Sequence, residues 1–404
     1  MFVLNELPSY MKPLDPVDLE TLDIKAADER ERFLTVLKEN EATPLVSLPG
    51  LARKIGVDAI HIKDEGHRLG LGSFKALGGA YAVMCEVLRE ASERLGTAQD
   101  VTDLLTPRVK AVAKTMTVAC ATDGNHGRSV AQGAHRVGAR CVIFVHAGVS
   151  EERADAIARF GAEIIRVPGN YDDSVAEATR QARDNGWIII SDTSWPGYER
   201  IPGLVMQGYT ALLREALHQL REPPTHVFIQ AGVGGIAAAV AGHFSAVFGE
   251  NRPTLVVVEP ARAACIFESV RVGKPVKIGH DQPTVMSMLE CYEPSLVAWR
   301  ILSRAANAFM TVDEKDAVDI MNRLAFPLAG DPAIVAGESG GVGLAGLLKA
   351  VADPEVKDKL GLGPDSRVFL INTEGATDPG LYERLVGVKP ELVAGKANAD
   401  SSAG

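Results

Sequence analysis

The chain has 404 residues, 46 % of them hydrophobic and 23 % charged, and its net charge is −10. An acidic chain without a basic run lacks the footprint that nucleic acid or an anionic membrane surface requires, and no apolar stretch is long enough to span a bilayer. Five cysteines, odd in number and without a C-x-x-C pair, argue against a disulfide framework or a zinc site and for a reducing compartment, the cytoplasm.

The opening M-F-V-L-N-E-L-P-S-Y has no basic segment leading into a long apolar one, so no signal peptide is expected. Three early prolines, Pro8, Pro13 and Pro16, mark an irregular start before a charged helix over residues 26–40. Residues 43–56 read as a turn into a short helix, and 59–63 as a strand. The spacing of Ala76, Leu77, Ala80, Tyr81, Val83 and Met84 predicts a buried helix over 76–95. Strands are then expected at 117–121, 140–145, 163–167 and 187–191, with helices at 129–137, 150–160 and 171–184 between them. Beyond a Trp/Pro/Gly loop come a helix over 203–219, a strand at 226–230, a helix over 236–248 and a strand at 254–258. Residues 262–310 read as short helices and loops. A helix over 313–324, another opening after 337–341 and a strand at 367–371 close the pattern. Continuous apolar strands alternating with helices are the mark of mostly parallel sheets covered on both faces, an α/β fold. From residue 394 the small-residue composition predicts a disordered tail.

Four stretches carry chemistry. The first, R-L-G-L-G-S-F-K-A-L-G-G-A over 68–80, sets Lys75 in a glycine-bracketed loop at the start of a helix, where a ligand can come close. The second, T-D-G-N-H-G over 122–127, places Asp123 and Asn125 at the carboxyl end of a strand, facing the crevice in which such folds bind ligands. His126 in the same stretch invites a catalytic role, with helix-start or structural duty the preferred reading. The third, A-G-V-G-G over 231–235, bares the backbone of Gly232, Val233, Gly234 and Gly235 at a helix N-terminus, a phosphate cup. Its G-x-G-G spacing is not the dinucleotide fingerprint, which argues against a nicotinamide-dependent oxidoreductase. The fourth, N-T-E-G-A-T over 372–377, brings the Thr373 hydroxyl to another strand end. A lysine for an imine, an amide for a ring hydroxyl, glycines for a phosphate and a hydroxyl for a ring nitrogen together suit pyridoxal 5′-phosphate.

On these motifs, and on S-D-T-S-W-P-G-Y-E-R-I-P over 191–202 and V-M-Q-G-Y over 205–209, the chain resembles the fold-type II pyridoxal-phosphate enzymes, the tryptophan-synthase-β and threonine-dehydratase group. Within that group it is similar to the diaminopropionate ammonia-lyases from about Leu4 to Val388. The resemblance implies two open twisted, mostly parallel sheets flanked by helices, with the cofactor in the cleft between the domains. It divides the chain into a large cofactor-binding domain, 1–80 with 202–393, a small α/β domain, 81–201, and the tail, 394–404. It makes Lys75 the lysine that joins the cofactor aldehyde, Asn125 the ring-hydroxyl contact, Gly232–Gly235 the phosphate loop and Thr373 the partner of the pyridine nitrogen. Asp123 stands where most dehydratases of the group have a small residue, and is implied as a second base serving the D-isomer. The substrate's β-ammonium calls for acids nearby, Asp123 and Asp192, with Glu338 as a further candidate. The implied reaction is α,β-elimination of 2,3-diaminopropionate to pyruvate and ammonia by a cytoplasmic homodimer that uses no metal. The alternative is a serine, threonine or hydroxyaspartate dehydratase, and a non-catalytic carrier of the cofactor stands further off because Lys75 and Asp123 are both intact.

Overall fold

A computed structural model of the chain describes residues 1–122, 124–279 and 282–401. The chain divides into two compact units, one of Met1–Ile24, Ala42–Phe74 and Leu212–Gly404, the other of Lys25–Glu41 and Lys75–Ala211. In chain order the strands are β1 (Phe2–Leu4), β2 (Leu45–Ser47), β3 (Ala59–Asp64), β4 (Thr117–Ala121), β5 (Arg140–His146), β6 (Glu163–Val167), β7 (Ile188–Ile189), β8 (His226–Gln230), β9 (Thr254–Pro260), β10 (Ala308–Val312) and β11 (Arg367–Asn372).

The first unit is built on a seven-stranded sheet in the order β1-β10-β9-β8-β11-β3-β2. Its five central strands are parallel and its two edges antiparallel. All five residues of β8 and of β10 are buried, as strands covered on both faces require. Three of these strands were not legible beforehand. The run A-F-M-T-V of β10 is too short for periodicity to separate strand from helix. The three-residue edges β1 and β2 are strands only because Phe2 pairs with Met310 and Leu45 with Lys63. The proline-rich start also contains the helix Pro16–Leu22, opened by a proline whose missing N–H costs nothing there. At the other end a helix, Pro390–Ser401, runs through the stretch expected to lack order, and residues 402–404 lie outside the described residues.

The second unit carries a four-stranded, wholly parallel sheet in the order β6-β5-β4-β7. Here β7 is only two residues long, because side chains take over where the ladder would continue. The Tyr198 hydroxyl donates to Ile189 O at 2.7 Å and accepts from Ser191 N at 3.0 Å. That folds the 191–198 loop back on itself, with the Trp195 and Tyr198 rings stacked 4.2 Å apart.

Each sheet has a point where the strand order reverses. In the first unit the chain winds from β8 to β9 on one side, while β11 and β3 lie on the other; in the second it winds from β4 to β5, while β7 lies on the other side. Loops at such a reversal diverge and leave a crevice at the carboxyl ends of the strands. Three of the four stretches singled out above lie at these places, 122–127 after β4, 231–235 after β8 and 372–377 at the end of β11; 191–192 follows β7, and the remaining stretch, 68–80, follows β3.

Candidate active site

Lys75 lies in a 3-10 turn, Phe74–Leu77, and the helix proper runs from Gly78 to Leu95, two residues later than the apolar spacing suggests. The preceding loop needs its glycines, since Gly70 and Gly72 have φ of 69° and 68°, a region L side chains avoid. Its end is tied within the first unit: Phe74 N donates to Thr373 O at 3.0 Å, and Gly375 N to Gly72 O at 3.0 Å. The chain therefore leaves a fixed strand end immediately before Lys75.

Within the second unit the surroundings of Lys75 are set by close helix packing. A Cβ on Gly133 would fall 2.6 Å from Ala80 Cα, and the Ser129 hydroxyl accepts from Ala80 N at 2.9 Å. The helix Gly78–Leu95 is thereby clasped to the helix Asn125–Val137. The latter begins at Asn125, four residues earlier than expected, so Asn125 and His126 belong to its first turn. Both are buried. On the other side a Cβ on Gly78 would lie 2.6 Å from Tyr209 Cε1, so Tyr209 packs directly over the turn that bears Lys75.

The Lys75 ammonium donates a hydrogen bond to Asp192 Oδ2, from the loop after β7. Burial alone would raise the Asp192 carboxyl, but the charge of Lys75, the neighbouring His126 ring and the Lys75 hydrogen bond outweigh it and hold the carboxyl well below the usual range. His126 Nδ1 lies 4.0 Å from the same oxygen, and its Nε2 lies 2.9 Å from Ile190 O. Burial pushes the His126 imidazole down, against the pull of Asp192. Burial likewise pushes the Tyr209 phenol up, against the charge of Lys75. The second unit thus gathers Lys75, Asp192, His126 and Tyr209. Asp123 lies outside the described residues.

The first unit holds the other group. After β8, Gly234 (φ 100°) turns the chain into the 14-residue helix Gly235–Phe248, which has no side-chain cap and no acidic residue in its first turn. Its leading N–H groups and dipole are therefore open to an anion. Next to it, at the end of β11, the Thr373 hydroxyl accepts from Gln230 Nε2 at 2.9 Å. Gln230 is wholly buried, and its Oε1 accepts from Gly343 N at 3.2 Å, which fixes the orientation of the amide. Glu338 is buried and accepts from the Ser287 hydroxyl at 3.0 Å.

The family described as pyridoxal-phosphate dependent enzyme matches residues 36–374. The chain belongs to that family. It is 41 % identical to the diaminopropionate ammonia-lyase of Escherichia coli (strain K12) over 354 residues, 85 % of this chain and 87 % of that protein. With the diaminopropionate ammonia-lyase of Salmonella typhimurium it is 38 % identical over 381 residues, 91 % and 93 % of the two chains. The crystal structure of the Escherichia coli enzyme in complex with an aminoacrylate-PLP azomethine reaction intermediate superposes with a TM-score of 0.85, at 36 % identity over 96 % of each chain.

The described residues suit the family's cofactor. The uncapped helix N-terminus at Gly235 can take a phosphate. The Thr373 hydroxyl accepts from Gln230 at 2.9 Å, and its own proton is directed at Ser339 O at 3.5 Å, a long bond. This pyridoxal-phosphate enzyme has groups that sequence reasoning passed over. Tyr209 and Gln230 are ordinary in sequence, although they border V-M-Q-G-Y and A-G-V-G-G. His126 was assigned a structural place, and nothing in the sequence ties it to Asp192 some 66 positions away.

Proposed function

We propose that this lyase eliminates ammonia from 2,3-diaminopropionate, in its L- and D-forms, to give pyruvate and ammonia. The observation that carries the reading is a largely buried lysine held by a carboxylate at a sheet reversal, in a chain 41 % identical to a diaminopropionate ammonia-lyase. Bound pyridoxal phosphate supplies an aldehyde for amines and a conjugated ring that takes up the electrons left on Cα.

The chain's own residues do the rest. Backbone N–H groups of Gly232, Val233, Gly234 and Gly235 hold the phosphate, Asn125 the ring hydroxyl and Thr373 the pyridine nitrogen. A hydroxyl at Thr373, in place of a carboxylate, leaves that nitrogen without a proton, which favours prompt loss of the β-group. Lys75, once released as a free amine, removes the α-proton on one face. Asp123 serves the opposite face, where the D-isomer presents its proton. Asp192, held as a carboxylate, favours the substrate's β-ammonium.

Release of keto acid and ammonia from D- and L-diaminopropionate, beside D- and L-serine and threonine, tests the assignment. Diaminopropionate is the expected preference, and faster turnover of serine or threonine would replace it with a dehydratase. Asp123→Asn is expected to lose turnover of the D-isomer far more than of the L-isomer, and equal loss would sink the two-base scheme. Lys75→Ala is expected to lose both, together with the visible absorbance of the holoenzyme. A cytoplasmic homodimer is part of the proposal: the scattered cysteines, which form no disulfide, support the compartment, and sedimentation of the holoenzyme checks the dimer.

A further inference from the structure

His126 has more polar capacity than its structural place uses. It is 5 % exposed, and its Nε2 is 2.9 Å from Ile190 O. A carbonyl only accepts, so Nε2 carries the hydrogen, and in the neutral ring Nδ1 is a bare lone pair. Among the described residues Nδ1 has no hydrogen-bond partner. It faces Asp192 Oδ2 at 4.0 Å, the same oxygen that Lys75 engages. A bare acceptor set against a carboxylate gains nothing until a proton arrives between them; with one, the contact becomes an imidazolium–carboxylate pair.

We propose that His126 takes up the proton that Lys75 must shed, passed through the Asp192 carboxylate, so that Lys75 becomes a neutral amine. The step balances without another reactant. An N–H bond of the Lys75 ammonium breaks as its proton passes to Asp192 Oδ2. That O–H bond breaks in turn as an N–H bond forms at His126 Nδ1. One cation and one anion are present before and after, so no net charge is created in a buried place, where creating one is costly. The charged groups acting on His126 are Asp192 and Lys75. Tyr209 and Cys120, which also act on this trio, are pushed up by burial and stay uncharged at neutral pH, and Asp123 lies outside the described residues. His126 acts on the substrate only through Lys75, as a positioning and proton-holding residue. The inference rests on the reading of Lys75 as the reacting amine.

Two substitutions separate the proton from the packing. His126→Gln can keep an N–H directed at Ile190 O while removing the titrating Nδ1. His126→Asn keeps an amide near the Nδ1 position but has nothing that titrates. The holoenzyme and both variants would be followed by kcat/KM for L-diaminopropionate against pH, and by pH titration of the visible cofactor band without substrate. In both variants the acid limb of the rate profile is expected to move up by about one unit, roughly a tenfold loss at neutral pH, recovering at high pH, with the spectral titration displaced in the same sense. A wild-type profile and titration in His126→Gln, or a loss equal at every pH, would overturn the proposal and leave His126 a packing residue. A wild-type holoenzyme without a visible band would instead refute the reading of Lys75.

Discussion

At the scale of single residues, what distinguishes Lys75 is its neighbours. A lysine at the edge of a glycine loop is ordinarily solvated; this one is 22 % exposed in its side chain and paired with a carboxylate that is itself 17 % exposed. The pairing depends on Gly78, one turn on, where any Cβ would meet Tyr209 Cε1 at 2.6 Å and Val205 O at 2.8 Å. A backbone oxygen cannot step aside as a side chain can. Gly78→Ala is therefore expected to lower stability by about 1–3 kcal/mol through overpacking, read as a lower unfolding midpoint of the purified protein. An unchanged midpoint would mean that the helix Arg200–Gln219 shifts freely, and that Tyr209 does not hold the turn.

At the scale of elements, the termini and crossings carry the site. The helix Gly235–Phe248 begins without a side-chain cap, which leaves its leading N–H groups available to an anion. Behind the Lys75 loop, the C-terminal half of the helix Arg200–Gln219 lends Glu215 to a buried network. Arg68 Nη2 donates to Glu215 Oε2 at 2.6 Å, and Lys63 Nζ pairs with it at 2.8 Å. Burial works to raise the Glu215 carboxyl, but Arg68 and Lys63 outweigh it and lower it. Because the folded value lies below the unfolded one, the stabilisation is present above the ordinary carboxylate range and is lost as pH falls through the depressed value. Glu215→Gln is expected to lower stability at neutral pH by about 3–5 kcal/mol, since it leaves buried cations under-compensated. The deficit should narrow on acidification. Unfolding midpoints of both proteins from neutral to acid pH test this, and a gap that stays constant would contradict it.

At the scale of the whole molecule, each of the two units carries a mostly or wholly parallel sheet with its own strand-order reversal. A cofactor bound by the folded chain and not by the unfolded one stabilises it by mass action, about 2.7 kcal/mol at a hundredfold excess over Kd. Stripping pyridoxal phosphate is thus expected to lower the unfolding midpoint, with recovery on adding it back. Lys75→Ala, which on the proposed reading keeps the phosphate and ring contacts but loses the covalent one, is expected to recover less. Identical recovery in both would argue that the lysine adds nothing to retention.

The sequence by itself determined the α/β class and the position of every glycine-marked strand end, because buried parallel strands are continuous apolar runs and tight turns need glycine. It also supplied the family, since K-D-E-G-H-R-L-G-L-G-S-F-K and N-T-E-G-A-T-D are long, specific strings. Only the tertiary structure decided that β1, β2 and β10 are strands, because short segments take their conformation from a partner. It alone brought Asp192 and His126 to Lys75, since nothing local records that the loop after β7 returns beside the loop after β4. That adjacency follows from sheet order, β7 pairing with β4 across about 70 residues of chain.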